Sequence, residues 1–198
     1  LVANCMVTVT EYEIDEVILT ELEGLKAADE TYQMLVGDNP YNLGVRFKKD
    51  GQDVSDMIRD FAVIPAYNSS EPDVAEIKNG ILSVNNPGST EITVTCAGKT
   101  TSFILNVIQC VESVRIITPE SNPYIVTPGD EFDIEYAVYP ETASVKTVKF
   151  SSSDNEVATV DDDGKVTVHK GGNANIVITS DGLMRPHVGA DGSKVAEP

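Results

Sequence analysis

Along most of the chain apolar and polar residues alternate with period two, the spacing of a strand that turns one face to a core and the other to water. In the stretch 41–48, Tyr41, Leu43, Val45 and Phe47 share one parity, and Asn42, Gly44, Arg46 and Lys48 take the other. Phe132, Ile134, Tyr136 and Val138 stand in the same way against Asp133, Glu135, Ala137 and Tyr139. Shorter alternations occur at Ile92/Val94/Cys96, Phe103/Leu105/Val107, Val166/Val168 and Ile176/Ile178, and Asn79-Gly80, Ala97-Gly98, Asp163-Gly164 and Asp181-Gly182 supply turn signals between them. Pro65 lies inside a strand pattern, where its missing N–H predicts a bulge or a sheet edge. Helical periodicity is nearly absent, with Val54–Asp60 the one stretch that reads as a helical turn. Short strands at intervals of about 8 to 12 residues predict an all-β sandwich or barrel.

The chain also repeats itself. The segment from Tyr67 to Gly98 aligns with that from Phe150 to Gly182: Val74 and Ala75 match Val157 and Ala158, and after one inserted Asp, Gly80, Val84, Gly88 and Ile92 match Gly164, Val168, Gly172 and Ile176. Upstream, Gly37-Asp38 corresponds to Gly129-Asp130, with extra residues in the first copy placed at Gly51–Asp60. A repeat that keeps core positions and turn glycines together is a repeat of whole folding units.

At these residues the chain resembles a known family. Val114-Arg115-Ile116, Pro128-Gly129-Asp130, Tyr139-Pro140-Glu141-Thr142-Ala143, Ser152-Ser153, Val157-Ala158-Thr159-Val160, Gly164-Lys165-Val166 and Gly172 resemble the pattern of bacterial Ig-like domains of group 2 (BIG2). The first copy keeps Ser69-Ser70, Val74-Ala75, Gly80 and Pro87-Gly88, and lacks the Pro-x-x-Ala stretch; Tyr67 and Phe150 stand where the family often has Trp. The resemblance implies two tandem Ig-like β-sandwich domains, 14–109 with an insertion at 51–60 and 110–198 with an irregular C-terminal tail, and no inter-sheet disulfide. Residues 1–13 read as a lead-in strand, since Met6–Thr10 alternates like Phe103–Val107; it is either the last strand of a preceding domain or an extra strand of the first. The short linker near Cys110 predicts a stiff rod, and Leu183–Pro198, with Pro186 and no clean alternation, predicts an edge or loose tail.

Composition narrows the chemistry. The chain has 198 residues and a net charge of −18, from 14 Lys and Arg against 32 Asp and Glu. That charge repels phosphate backbones and anionic lipid, so neither nucleic acid nor direct membrane insertion is expected, and no run reaches the ~18 apolar residues that a spanning helix needs. Cys5, Cys96 and Cys110 fit neither a disulfide framework nor a CxxC metal site, and Cys96 reads as a buried free thiol.

Catalytic candidates are sparse. His169 falls on the outward parity of a strand and His187 in the irregular tail, neither beside a nucleophile or carboxylate at a recognisable spacing; GxSxG, HExxH and phosphate-cradling glycine loops are absent. Asp161, Asp162 and Asp163, followed by Gly164, are the metal candidate, because adjacent carboxylates on a tight turn offer hard oxygens to calcium. The same residues also make a solvated hairpin turn, and that is the expected reading, with no cofactor. Asn68-Ser69-Ser70 matches a glycosylation sequon, incidentally to the family's Ser-rich strand end.

The expectation is a non-catalytic module of a bacterial cell-surface or extracellular protein. The resemblance implies a spacer and an adhesive face for a host or cell-surface protein or carbohydrate, beside neighbouring domains of the same polypeptide. The alternative is accessory domains of a larger secreted carbohydrate-active or carbohydrate-binding protein; a phage tail decoration is a weaker third.

Overall fold

Alternation becomes pairing throughout the computed structural model, which describes residues 13–27, 31–56, 64–184, 187–188 and 194–195. The chain divides into two units, residues 1–107 and 108–198. Among the described residues the only helical structure is a single 3-10 turn at Leu22–Leu25 and a helical step at Ser55–Asp56, the described start of the predicted turn; 57–60 lie outside the described residues.

In the first unit the strands are β1 (Glu16–Thr20), β2 (Tyr32–Leu35), β3 (Tyr41–Asn42), β4 (Gly44–Lys49), β5 (Gln52–Asp53), β6 (Ala66–Ser69), β7 (Ala75–Lys78), β8 (Ile81–Val84), β9 (Gly88–Cys96) and β10 (Lys99–Ile108). One sheet runs β2-β10-β9-β6; facing it are the sheets β1-β4-β5 and β3-β8-β7. Inward residues of all three form one continuous core that includes Val17, Met34, Leu43, Phe47, Leu82, Ile92, Val94, Cys96 and Leu105. The turns Asn79-Gly80 and Ala97-Gly98 close two-residue hairpins with both central residues at positive φ, the backbone twist that matches the flanking strands. Pro65 stands just before β6 rather than within it, and β6 is an edge strand, so no ladder donor is lost.

In the second unit the strands are β11 (Ser113–Thr118), β12 (Glu131–Asp133), β13 (Glu135–Tyr139), β14 (Val148–Ser152), β15 (Ala158–Val160), β16 (Lys165–Val168), β17 (Ile176–Ser180) and, in the tail, β18 (His187–Val188) paired with β19 (Lys194–Val195). The sheets are β12-β16-β15, β11-β13 and β14-β17. The core here is two smaller clusters, around Val111, Val138 and Ala143 and around Ile134, Ala158 and Val166.

Each long alternating stretch, expected as one strand, is two. The chain leaves one sheet and joins another at Leu43 in the first unit and at Ile134 in the second. At the crossing Leu43 donates its N–H to the Gly80 carbonyl at 2.8 Å, and Ile134 donates to that of Gly164 at 2.9 Å. Both side chains stay buried, so the hydrophobic period passes unbroken through a change of hydrogen-bonding partner.

The sequence repeat is repeated in geometry. A Cβ on Gly88 would lie 2.8 Å from Val74 Cγ2, and one on Gly172 would lie 2.6 Å from Val157 Cγ2. Leu35 N–H donates to the Asp38 carboxylate at 2.7 Å, as Thr127 N–H does to Asp130 at 2.8 Å. Glu91 N–H reaches Ser70 Oγ at 2.9 Å, and Asn175 N–H reaches Ser153 Oγ at 2.8 Å. The units part company in the core: Ile92 and Val94 are fully buried, while their counterparts Ile176 and Ile178 are half-buried, as are Val45 and Tyr136.

Among the described residues a buried hydroxyl pair occurs in the first unit alone. Thr90 Oγ1 lies 2.7 Å from Ser69 Oγ and accepts the Glu71 N–H at 3.0 Å, whereas the matching position in the second unit is Ala174. Thr90→Val should destabilise the first unit by about 1–3 kcal/mol, because it leaves the Ser69 hydroxyl without its partner and the Glu71 N–H without its acceptor. Amide exchange on the full chain reads this out unit by unit.

Candidate functional site

The acidic turn joins β15 to β16, and one of its three carboxylates shapes it. Asp161 Oδ1 accepts the N–H of Asp163 at 3.1 Å and that of Lys165 at 2.8 Å, so this side chain shapes the turn that Gly164, at φ +87°, completes. Among the described residues no group of three or more His, Cys, Asp or Glu side chains is placed to hold a metal ion, and Asp161, Asp162 and Asp163 form no such group. Beside the turn, Lys165 Nζ lies 2.7 Å from Glu131 Oε2. The hydrogen bond and the charge of Glu131 hold this ammonium above its usual pKa.

Of the two histidines, His169 alone has a side chain among the described residues. His169 follows β16 on the surface, with Nε2 2.9 Å from Thr159 Oγ1. His187 lies in β18, and its side chain is outside the described residues. Cys96 is a buried free thiol whose pKa burial pushes up, the opposite of what an activated thiolate requires; Cys110 is also buried.

Two exposed carboxylates are held low by local hydrogen bonds. Asp53, in the insertion, accepts from the Ser55 hydroxyl at 2.6 Å and the Ser55 N–H at 2.9 Å, with Arg46 at 3.3 Å adding a smaller effect. Asp130 accepts from the Thr127 N–H and hydroxyl, both at 2.8 Å. A depressed carboxylate pKa contributes stability above its unfolded value, near pH 4, and that contribution is lost as pH falls through the folded value. Asp130→Asn should therefore flatten the second unit's stability-versus-pH curve below about pH 4, and an acid titration of wild type and variant measures the difference.

A shallow depression of about 230 Å³ at the β7–β8 hairpin is lined by Glu76, Lys78, Asn79, Ile81 and Ser83, with the Lys78 ammonium 2.7 Å from Glu76 Oε1. Ion-paired side chains on an open hairpin give no nucleophile, base and acceptor converging on one atom. The exposed apolar residues around β11 were not anticipated. Ile116, Ile117, Tyr124 and Ile125 are all exposed, Ile125 at 88%; Tyr124 packs edge-on against Phe132 at 5.0 Å, and the Arg115 guanidinium lies over the Tyr139 ring at 5.3 Å. The sequence signal was Ile116-Ile117, two adjacent apolar residues where alternation permits one inward.

No curated protein matches the chain in sequence. Among solved structures, domains 1–6 of the surface layer protein SbsC align at 18% identity and TM-score 0.37 over 86% of this chain, which spans 27% of that one. SbsC domains 4 and 5 align at 18% identity and TM-score 0.36, over 85% of this chain and 94% of that one. The C-terminal fragment of intimin, solved with the intimin-binding domain of its translocated receptor, aligns at 12% identity and TM-score 0.39, over 86% of this chain and 60% of that one. Likenesses at these scores support no reading of what this chain binds. The family match is more specific, and it falls within the second unit: residues 111–182 match the bacterial Ig-like domain (group 2).

Proposed function

We propose that this chain is a non-catalytic structural segment of a bacterial cell-surface protein, a spacer that presents neighbouring parts of the same polypeptide. The observation that carries it is the match of residues 111–182 to the bacterial Ig-like domain (group 2). The repeated geometry at Leu43/Ile134, Gly88/Gly172 and Asp38/Asp130 supports reading the first unit as a diverged second copy. In a sandwich whose interior is filled by side chains from both faces, contact with a partner falls to loops and strand edges. The insertion that begins at Gly51 and the exposed residues Ile116, Ile117 and Ile125 are the positions offered to a surface protein or carbohydrate. The acidic turn is structural in this reading: calcium at millimolar concentration should move the melting temperature no further than magnesium does, and a calcium-specific rise abolished by Asp162→Asn would show a real site.

The alternative places the same domains beside a catalytic or carbohydrate-binding domain of a larger secreted protein. Antibody labelling of intact cells with serum raised to this segment tests the surface reading. Labelling without lysis is expected; signal found only after lysis would reject it.

A further inference from the structure

Among its described residues the second unit has an open sheet edge. In the first unit β9 lies between β6 and β10, and β10 pairs with it from Lys99↔Cys96 to Val107↔Gly88. In the second, β17 pairs with β14 as β9 does with β6, Ile176 opposite Ser152 and Val148 opposite Ser180, and its other side carries no strand among the described residues. Antiparallel pairing directs the backbone groups of alternate residues to opposite sides. Because Ser153 N–H bonds the Asn175 carbonyl at 2.9 Å and Asp181 N–H bonds the Thr147 carbonyl at 3.0 Å, residues 175, 177, 179 and 181 face β14. The N–H and C=O groups of Ile176, Ile178 and Ser180 therefore point to the open side. Their side chains are half-buried, where Ile92, Val94 and Cys96, with β10 alongside, are buried.

Among the described residues that follow, none pairs with β17 as β10 does with β9. Val111 N–H bonds the Leu183 carbonyl at 2.9 Å and Val111 bridges Met184 in parallel, while β18 and β19 pair with each other. One segment has the pattern the edge lacks. Ala3, Cys5, Val7 and Val9 share one parity, Asn4, Met6, Thr8 and Thr10 the other, and residues 1–10 contain no charged side chain. Ile176–Ser180 is likewise uncharged, so the contact itself escapes the repulsion between chains of net charge −18, most of which is screened beyond about 10 Å.

We propose that residues 3–10 of a second copy add to β17 as an antiparallel strand, in the place β10 takes on β9, with Val7 and Val9 covering Ile176 and Ile178. Main-chain hydrogen bonds supply the affinity and the alternate side chains the register. The test is sedimentation velocity and amide exchange on the full chain across a range of concentrations. Association should rise with concentration, and protection of the Ile176, Ile178 and Ser180 amides should rise with it by about tenfold or more. Val7→Asp combined with Val9→Asp should abolish both without changing exchange in the first unit, and a synthetic peptide of residues 1–12 added to that variant should restore the protection. Three results would each overturn the proposal: amides unprotected at every concentration, protection that is concentration-independent and lost on deleting residues 187–198, or a peptide that restores nothing.

Discussion

Gly164→Ala is expected to destabilise the second unit by about 2–4 kcal/mol, enough to unfold a marginal domain, because two independent penalties fall on one methyl group. Gly164 holds φ at +87°, a conformation that costs an L-residue about 1–2 kcal/mol. The added Cβ would also stand 2.8 Å from Phe150 Cζ and 3.4 Å from the Ile134 carbonyl. Phe150 cannot retreat easily, since its ring packs edge-on against Tyr136 at 5.6 Å and forms part of the core. Gly98→Ala is the control: φ is +73° there, and a Cβ would meet nothing within 4 Å, so only the conformational cost of about 1–2 kcal/mol remains. Chemical denaturation of the two variants should separate these values; equal losses would show that the Phe150 contact is not what makes Gly164 necessary.

Truncating equivalent core residues should cost unequal amounts in the two units. Ile92 is 0% exposed between the facing sheets, and Ile92→Ala should cost about 3–4 kcal/mol through lost burial and the cavity left behind. Ile176, its counterpart, is half-buried on the open edge strand, and Ile176→Ala should cost about 1–2 kcal/mol. Exchange of core amides in each unit, measured on the full chain, gives both numbers. A loss at Ile176 as large as that at Ile92 would mean that another strand covers β17 in solution.

Much of this architecture was legible because alternation reports which face is buried. Leu43, Phe47, Ile134 and Val138 are inward in the structure as their parity requires. Parity is silent about which strand supplies the hydrogen bonds, so the change of sheet at Leu43 and Ile134 left no trace in the pattern. Nor does parity measure depth: Ile92 and Ile176 match in sequence, but β10 covers only the first. Turn chemistry was legible at Gly80, Gly88, Gly164 and Gly172, where the repeat aligned glycines that the structure needs for close approach or positive φ. The acidic turn was visible as a cluster of charge, but the capture of Asp161 by two backbone N–H groups depends on local backbone geometry that composition does not encode. The lead-in strand at 6–10 lies outside the described residues.

The central claim, that this chain is a structural segment rather than a seat of chemistry, is tested most directly by exchange within its parent polypeptide. Residues 13–184 would be replaced by two Ig-like domains of unrelated sequence, and the parent's surface display and binding measured beside those of a simple deletion. The account predicts that the exchange retains what the deletion loses. Loss of a turnover or of a specific ligand in the exchanged protein, with display intact, would contradict it.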